Sequence, residues 1–274
     1  QLGDALAKQK SSSPTGSPFS FKMIEPLSRK QCQLLAQHLP DTPQTVISRA
    51  YLLWGTARAY AVGLTDVGFA AAVIEDPGCP GEPMIFGHNA RQIADLMPHI
   101  PNWFCVNIAL DLADELEPLL AAQMGCALRR HGDVYHTLTQ PPPADLLTYP
   151  DVRRLTPDDL PLLQAAPPEL RGQDPAHLLH KTAAAGAIIQ GQLVAIAQNY
   201  ALTEKYGDIG VFTLPEWRGR GLAAAAAALV ADWLLGNGRI PVWSCGEHNQ
   251  PSLRVAKKVG FVENGRRLYL ILDQ

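Results

Sequence analysis

Apolar and polar positions change period several times along the 274 residues, and each change marks an element. In the first half, short β-branched and aromatic runs at Ala59–Val62, Phe69–Ile74, Pro83–Phe86 and Trp103–Ile108 predict strands. Arg91–Leu96 and Leu112–Met124 carry helical spacing on either side of the last of these. Beyond Gln140-Pro-Pro-Pro-Ala144 the pattern restarts, and consecutive prolines suit an extended linker there. Val152–Leu155 reads as a strand. Thr156 follows as a helix N-cap, with Pro157 at the first helical position and acidic residues in the first turn. Ala187–Gln190 and Leu193–Tyr200 predict a hairpin around Gly191-Gln192. Asp208–Thr213 is a strand, the alanine-rich run to Leu235 a helix, and Arg239–Ser244 a further strand. Phe261-Val262 and Arg267–Leu272 read as closing strands around Asn264-Gly265, a favoured hairpin turn.

The chemistry is densest where the strand ending at Thr213 gives way to the alanine-rich helix. The connecting segment, Leu214-Pro-Glu-Trp-Arg-Gly-Arg-Gly221, holds two glycines and two arginines. A strand feeding a glycine turn that opens a helix presents free backbone N–H groups, a ready site for phosphate. Gly219 and Gly221 let the backbone approach closely, and Arg218 and Arg220 add positive charge. A P-loop needs Lys-Ser/Thr after its last glycine, whereas Leu222-Ala223 stands here. A dinucleotide fingerprint needs a third glycine and an acidic residue ending the next strand; Arg239–Ser244 has no carboxylate.

Arg218-Gly-Arg-Gly221-Leu-Ala223 instead resembles the phosphate motif of the GNAT N-acyltransferase superfamily, [Gln/Arg]-x-x-Gly-x-[Gly/Ala]. Asn249-Gln-Pro-Ser252, running on to Val255-Ala-Lys-Lys-Val-Gly260-Phe261, is similar to its second signature. The resemblance implies an α/β GNAT fold, a mixed and mostly antiparallel sheet flanked by helices, over 146–274. Residues 21–145 then form a degenerate GNAT-like domain without a phosphate turn, and 1–20 a flexible lead-in with chain order starting near Phe21. Two-domain members of this kind include glycine N-acyltransferases and bacterial small-molecule acetyltransferases, and Thr213–Arg218 is particularly similar to the former.

By that resemblance, the backbone of Val211, Phe212 and Thr213 holds the pantetheine arm and polarises the thioester. Arg218, Gly219, Arg220, Gly221, Leu222 and Ala223 meet the pyrophosphate, and Asn249 and Ser252 complete the cofactor site. The family often places a glutamate six residues before the position of Thr213 and a tyrosine seven after the motif asparagine. Gly207 and Ala256 stand there instead. Proton transfer then falls to Asp208 as base and Ser244 or Cys245 near the thioester sulfur, with Glu247 and His248 lining the amine pocket. Arg254, Lys257 and Lys258 read as a solvated helix face, with the 3′-phosphate as the alternative. Acceptor specificity is expected in the early helices and in Gln173–Lys181.

Composition narrows the rest. A formal net charge of −3 disfavours nucleic acid as the main partner. Cys32, Cys79, Cys105, Cys126 and Cys245 are scattered without a CxxC pair, so neither a metal site nor a disulfide framework is indicated, and a reducing, cytoplasmic setting fits. No run approaches the ~18–20 apolar residues of a membrane span, and the first twenty residues lack a signal-peptide core. The expectation is an N-acetyltransferase moving acetyl from acetyl-CoA, as acyl donor, to a primary amine of a small molecule or amino acid, without metal. A bulkier acyl-CoA or a non-catalytic CoA-binding sensor stands as the alternative, and a homodimer is left open.

Overall fold

The structure, a computed structural model, describes residues 24–172, 174–181 and 183–273; the expected lead-in over 1–20 lies outside them. Contacts divide the chain into two compact units. The first comprises residues up to Pro40, Tyr51–Asp133 and those from Arg266 onward; the second comprises Asp41–Ala50 and Val134–Gly265. These cuts differ from the boundary at 145/146, because a short early segment belongs with the second unit and the final strand with the first.

The first unit opens with helix α1 (Arg29–His38), whose N-cap Ser28 and Gln31 form a reciprocal capping box. Helix α2 (Val46–Trp54) follows, its residues up to Ala50 belonging to the second unit. Strands β1 (Arg58–Val62), β2 (Ala71–Glu75) and β3 (Met84–Gly87) lead to α3 (Ala90–Leu96). Then come β4 (Cys105–Ile108), α4 (Ala113–Met124) and β5 (Leu128–Thr137). The order within the unit is β1-β2-β3-β4 followed by the last strand of the chain. Val73, Ile85, Ile93, Val106, Leu116 and Leu270 centre its main core. A buried polar group crosses the sheet: Asn107 Nδ2 donates to Asp133 Oδ2 at 2.9 Å, and Arg267 Nη2 donates to the Ile85 carbonyl at 2.8 Å. Burial, reinforced by nearby acidic groups, raises the Cys105 thiol and the Tyr269 phenol above their ordinary ranges.

β5 carries Arg129-Arg130-His131-Gly-Asp133, a polar run with no alternation, and sequence patterning assigns it to no element. Its N-terminal residues lie in the first unit and Val134–Thr137 in the second.

In the second unit, α5 (Ala144–Leu147) follows the prolines and precedes β6 (Val152–Arg154). Thr156 caps a 3₁₀ turn over Pro157–Asp159 in a capping box with Asp159. Helices α6 (Leu160–Ala165), α7 (Pro168–Arg171) and α8 (Pro175–Lys181) come next. Strands β7 (Ala184–Ile189) and β8 (Gln192–Leu202) pair around Gln190-Gly191, one residue earlier than expected; both turn residues have positive φ, 52° and 77°. Then follow β9 (Tyr206–Thr213), α9 (Leu222–Gly236), β10 (Ile240–Gly246), α10 (Gln250–Val259) and β11 (Val262–Leu272). The order is β5-β10-β9-β8-β7-β6. The Asn264-Gly265 hairpin is not formed: β11 runs straight through. The Asn264 amide reaches Thr137 Oγ1, and its carbonyl accepts from Gln44 Nε2, so local polar partners outcompete the turn.

Two apolar layers sandwich this sheet. Ala185, Ala187, Ala197 and Ile209 cluster with α9 and α10; Ala184, Leu193 and Ile196 cluster with residues of α6, α7 and α8. The alanines at 224–228 explain how close α9 sits, since each is fully or almost fully buried. A Cβ on Gly207 would stand 2.5 Å from Leu234 Cδ2, so the strand under α9 has no room for even one methyl group.

Candidate functional site

The site begins where two strands part. Parallel β9 and β10 are in register at Tyr206↔Ile240, Gly207↔Pro241 and Asp208↔Val242, and the ladder ends there. β9 runs on to Thr213 and β10 to Gly246, while β9 stays paired to β8 on its other side. The strands therefore open a wedge lined by alternate peptide groups of β9 that turn away from β8. Asp208 marks its apex. The β8–β9 ladder carries a bulge between Asn199 and Ala201, opposite Asp208, which re-aims the chain locally.

At the end of β9, Leu214 N donates to Val194 O and the chain makes a 3₁₀ turn over Pro215–Trp217. Gly219 and Gly221 then take left-handed φ of 76° and 80°, and α9 starts at Leu222 with no side-chain cap on its free N–H groups. Gly219 has no neighbouring atom within 4 Å of where a Cβ would stand, so its backbone faces open space. The N-terminal turn of α9 contains no acidic residue. These features fit a phosphate-bearing ligand: a glycine cradle, uncapped helix N–H groups and a positive end of the helix dipole. Thr213 Oγ1, just before the turn, is buried without a hydrogen-bond partner.

The two arginines of the turn each use part of their guanidinium within it. Arg218 Nε donates to the Thr213 carbonyl at 3.0 Å, and its guanidinium lies 5.9 Å from the centre of the Phe212 ring. Arg220 stacks on Trp217 at 4.5 Å and reaches the Glu216 carbonyl. Both arginines brace the turn. Two groups that sequence reading did not place here also converge on it. Tyr149 Oη donates to the Arg220 carbonyl at 2.7 Å. Lys258 Nζ, from α10, stands 3.4 Å from the position of a Cβ on Gly221. No spacing rule would have found Tyr149, since the contact closes 71 residues of sequence.

The remaining residues fall on different faces. Val211 packs towards α9 and Phe212 towards the α6–α8 layer, as alternation requires. Leu222 is buried at the start of α9, with Ala223 half-buried beside it. Asn249 is the N-cap of α10, its side chain accepting from Ser252 N at 3.2 Å; Ser252 Oγ accepts from the indole of Trp243. Glu247 and His248 lie in the loop between β10 and α10, with His248 exposed. Cys245 belongs to the apolar cluster under α9 and α10, with Trp243 two residues earlier. Asp208 and its register partner Val242 face the other way, as does Ser244 by alternation. Asp208 and Ser244 thus share a face that Cys245 does not. Ala256 is fully buried in the apolar cluster it shares with α9. Gln173 lies outside the described residues; most of the specificity segment forms α8.

Comparison with known proteins bears on the fold and on one segment of the chain. Residues 174–267 match the family model of the GNAT acetyltransferases, a span from the residues just before α8 into β11. An uncharacterized N-acetyltransferase of Bacillus subtilis, YdfB, is 32% identical over 76 residues, which is 27% of this chain and 29% of that protein. The match therefore spans under a third of the curated relative. Among solved structures, a GCN5-related N-acetyltransferase-like protein from Streptococcus suis shares the fold with a TM-score of 0.66. It is 19% identical, covering 89% of this chain and 99% of that one. An acetyltransferase of the GNAT family from Colwellia psychrerythraea has a TM-score of 0.57 at 12% identity, covering 92% of this chain and all of that one. The wedge and the glycine turn both lie within residues 174–267, the segment that matches the GNAT acetyltransferase family model.

Proposed function

We propose that the protein is an N-acyltransferase that moves an acetyl group from acetyl-CoA to a primary amine of a small molecule or amino acid. The observation that carries this reading is the β9–β10 wedge with Asp208 at its apex and the glycine turn at its mouth. A thioester whose pantetheine arm lies along β9 would have its diphosphate at the start of α9 and its carbonyl towards the apex. Of this stretch, the backbone N–H groups of Val211 and Thr213, which alternate with the β8-bonded Leu214 N–H, would polarise that carbonyl.

The acceptor nitrogen attacks the thioester carbon and a tetrahedral intermediate forms. The C–S bond then breaks, giving the amide and the CoA thiolate. Asp208 is positioned to take the proton from the amine, directly or through one water. Its burial at the apex, at 3% exposure, suits a group screened from bulk solvent. Ser244, on the same face as Asp208, is the β10 candidate for returning a proton to sulfur. The Cys245 thiol points into the apolar layer and is left out of the chemistry. Asn249 holds α10 in place through its cap, and its other amide valences would meet the pantetheine amides. Holding amine and thioester together supplies much of the rate enhancement.

The site gives a physical reason for the missing family glutamate. Position 207 faces α9, where Leu234 Cδ2 and Cδ1 would lie 2.5 and 2.9 Å from any Cβ. A carboxylate fits only on the opposite face, where Asp208 is. The test is continuous detection of free thiol with acetyl-CoA and a panel of amines and amino acids. Acceptor-dependent CoA release supports the reading. Tight CoA binding with no turnover on any amine would favour a CoA sensor instead, and faster turnover with aromatic acyl-CoAs would favour a bulkier donor.

A further inference from the structure

We infer that Asn199 is a positioning residue for Asp208: its side-chain amide fixes the β8 bulge that brings the Asp208 carboxyl to the wedge apex. This rests on the acyl-transfer reading, in which Asp208 is the base, and concerns a residue outside the cofactor turn. Asn199 Nδ2 donates to the Ala201 carbonyl at 2.8 Å on its own strand and to the Asp208 carbonyl at 3.0 Å across the ladder. One amide thereby spans both sides of the bulge. There β8 advances two residues, from Asn199 to Ala201, while β9 moves by one, from Ile209 to Asp208. The main chain at this point is held as well, since Asn199 N donates to the Ala183 carbonyl at 2.8 Å.

The faces of the strands depend on that offset. Side chains alternate along a strand, so a one-residue slip sends each of them to the opposite face. Ala197 and Ile209 lie in the layer with α9, whereas Ala201, Tyr206 and Val242 cluster on the other side. The bulge keeps the two strands in step across this change: Ala201 stands opposite Asp208, and Leu202 opposite Gly207. A slipped β9 would put Asp208 where Gly207 is, and there Leu234 leaves no room for even a Cβ. Asn199 is itself out of character in the alanine-rich layer that its face shares with Ala195 and Ala197. It is 2% exposed, and its Oδ1 has no hydrogen-bond partner among the described residues. An unpaired buried acceptor is destabilising, and both donors of the same amide go to the bulge. Gly207 clears the way for them: Asn199 Nδ2 lies 3.1 Å from where a Cβ on Gly207 would stand. Bulges beside active sites re-aim a side chain, and the one aimed here carries the carboxylate.

The experiment is a double-mutant cycle with Asn199→Leu, Asp208→Asn and the two combined. Free-thiol detection with the fastest acceptor of the amine panel gives kcat and KM. Calorimetry gives the affinity for acetyl-CoA, and thermal unfolding checks that each variant is folded. Asn199→Leu should lower kcat by about ten- to a hundredfold, as a misplaced catalytic group does, with KM and affinity for acetyl-CoA within about threefold of wild type. In the Asp208→Asn background the same change should lower kcat by less than about threefold further, because the group it positions is already gone. Asn199→Ala, which removes both donors without a branched side chain, carries the same expectation if the leucine variant does not fold. An unchanged kcat in a folded Asn199 variant overturns the assignment. So does a full additional loss in the Asp208→Asn background, or a loss of acetyl-CoA affinity in step with kcat. Failure of both Asn199 variants to fold marks the residue as structural and overturns it too. A normal kcat in Asp208→Asn would defeat the base reading, and absence of turnover by wild type the acyl-transfer reading, each separable from the result at Asn199.

Discussion

Replacing Gly221 with valine tests the turn where its geometry is most demanding. Gly221 has φ of 80°, a conformation that costs an L-residue about 1–2 kcal/mol and a β-branched one more. The new Cβ would stand 3.3 Å from Tyr149 Oη and 3.4 Å from Lys258 Nζ, both at the ends of side chains that can withdraw. Strain, rather than collision, therefore sets the stability cost. If the turn is kept, at about 2–4 °C per kcal/mol for a protein of this size, the melting temperature falls by roughly 2–8 °C. If the strain is relieved by rotating the turn, the melting temperature is nearly unchanged and the N–H groups at the start of α9 no longer converge. Both routes abolish binding, the first because the valine methyls and displaced Lys258 fill the cradle, the second because the donors are lost. Gly219→Ala is the comparison: its φ is 76°, with no atom within 4 Å, so it meets similar strain without the contacts. Differential scanning fluorimetry and calorimetric titration with acetyl-CoA read the two effects separately. Wild-type affinity in a folded Gly221→Val protein would refute the placement of the diphosphate.

Three further outcomes follow from the same geometry. Asp208→Asn should lower kcat by about 10²–10⁴-fold, the usual share of a general base, while acetyl-CoA affinity stays within about twofold; an unchanged kcat would remove Asp208 from the chemistry. Gly207→Ala should destabilise the fold by about 1–3 kcal/mol through overpacking against Leu234, read as a lower urea midpoint. The Arg153 guanidinium, bonded at 2.6 and 2.8 Å, holds the Asp159 carboxyl down at about 2. A depressed carboxyl stabilises the folded state above its unfolded value of about 4 and loses that contribution as pH falls towards 2. Urea midpoints of wild type should therefore drop between about pH 4 and pH 2 more steeply than those of Asp159→Asn.

Much of this was legible along the chain, for reasons that also explain what was not. The glycine turn could be read because Gly219 and Gly221 are demanded by backbone conformation, which sequence records directly. The Thr156 cap and the strands from β7 to β10 follow local rules of capping and alternation. Three features do not. β5 breaks alternation with Arg129–Asp133, so its strand state is set by neighbouring strands rather than by its own pattern. Asn264-Gly265 has hairpin chemistry, yet β11 continues because its last residues pair with β4, Leu268 opposite Ile108. Tyr149 and Lys258 approach the glycine turn from distant sequence, joined to it only by folding. The motif arginines also bond within the turn, Arg218 to the Thr213 carbonyl and Arg220 to the Glu216 carbonyl, contacts that spacing alone does not announce.

The central claim is that the α9 turn and the β9–β10 wedge bind acyl-CoA. Calorimetric titration of the protein with acetyl-CoA, with NADH as the control ligand, tests it most directly. The account predicts micromolar binding of acetyl-CoA and none of NADH. Absence of acetyl-CoA binding, or equal binding of NADH, would contradict it.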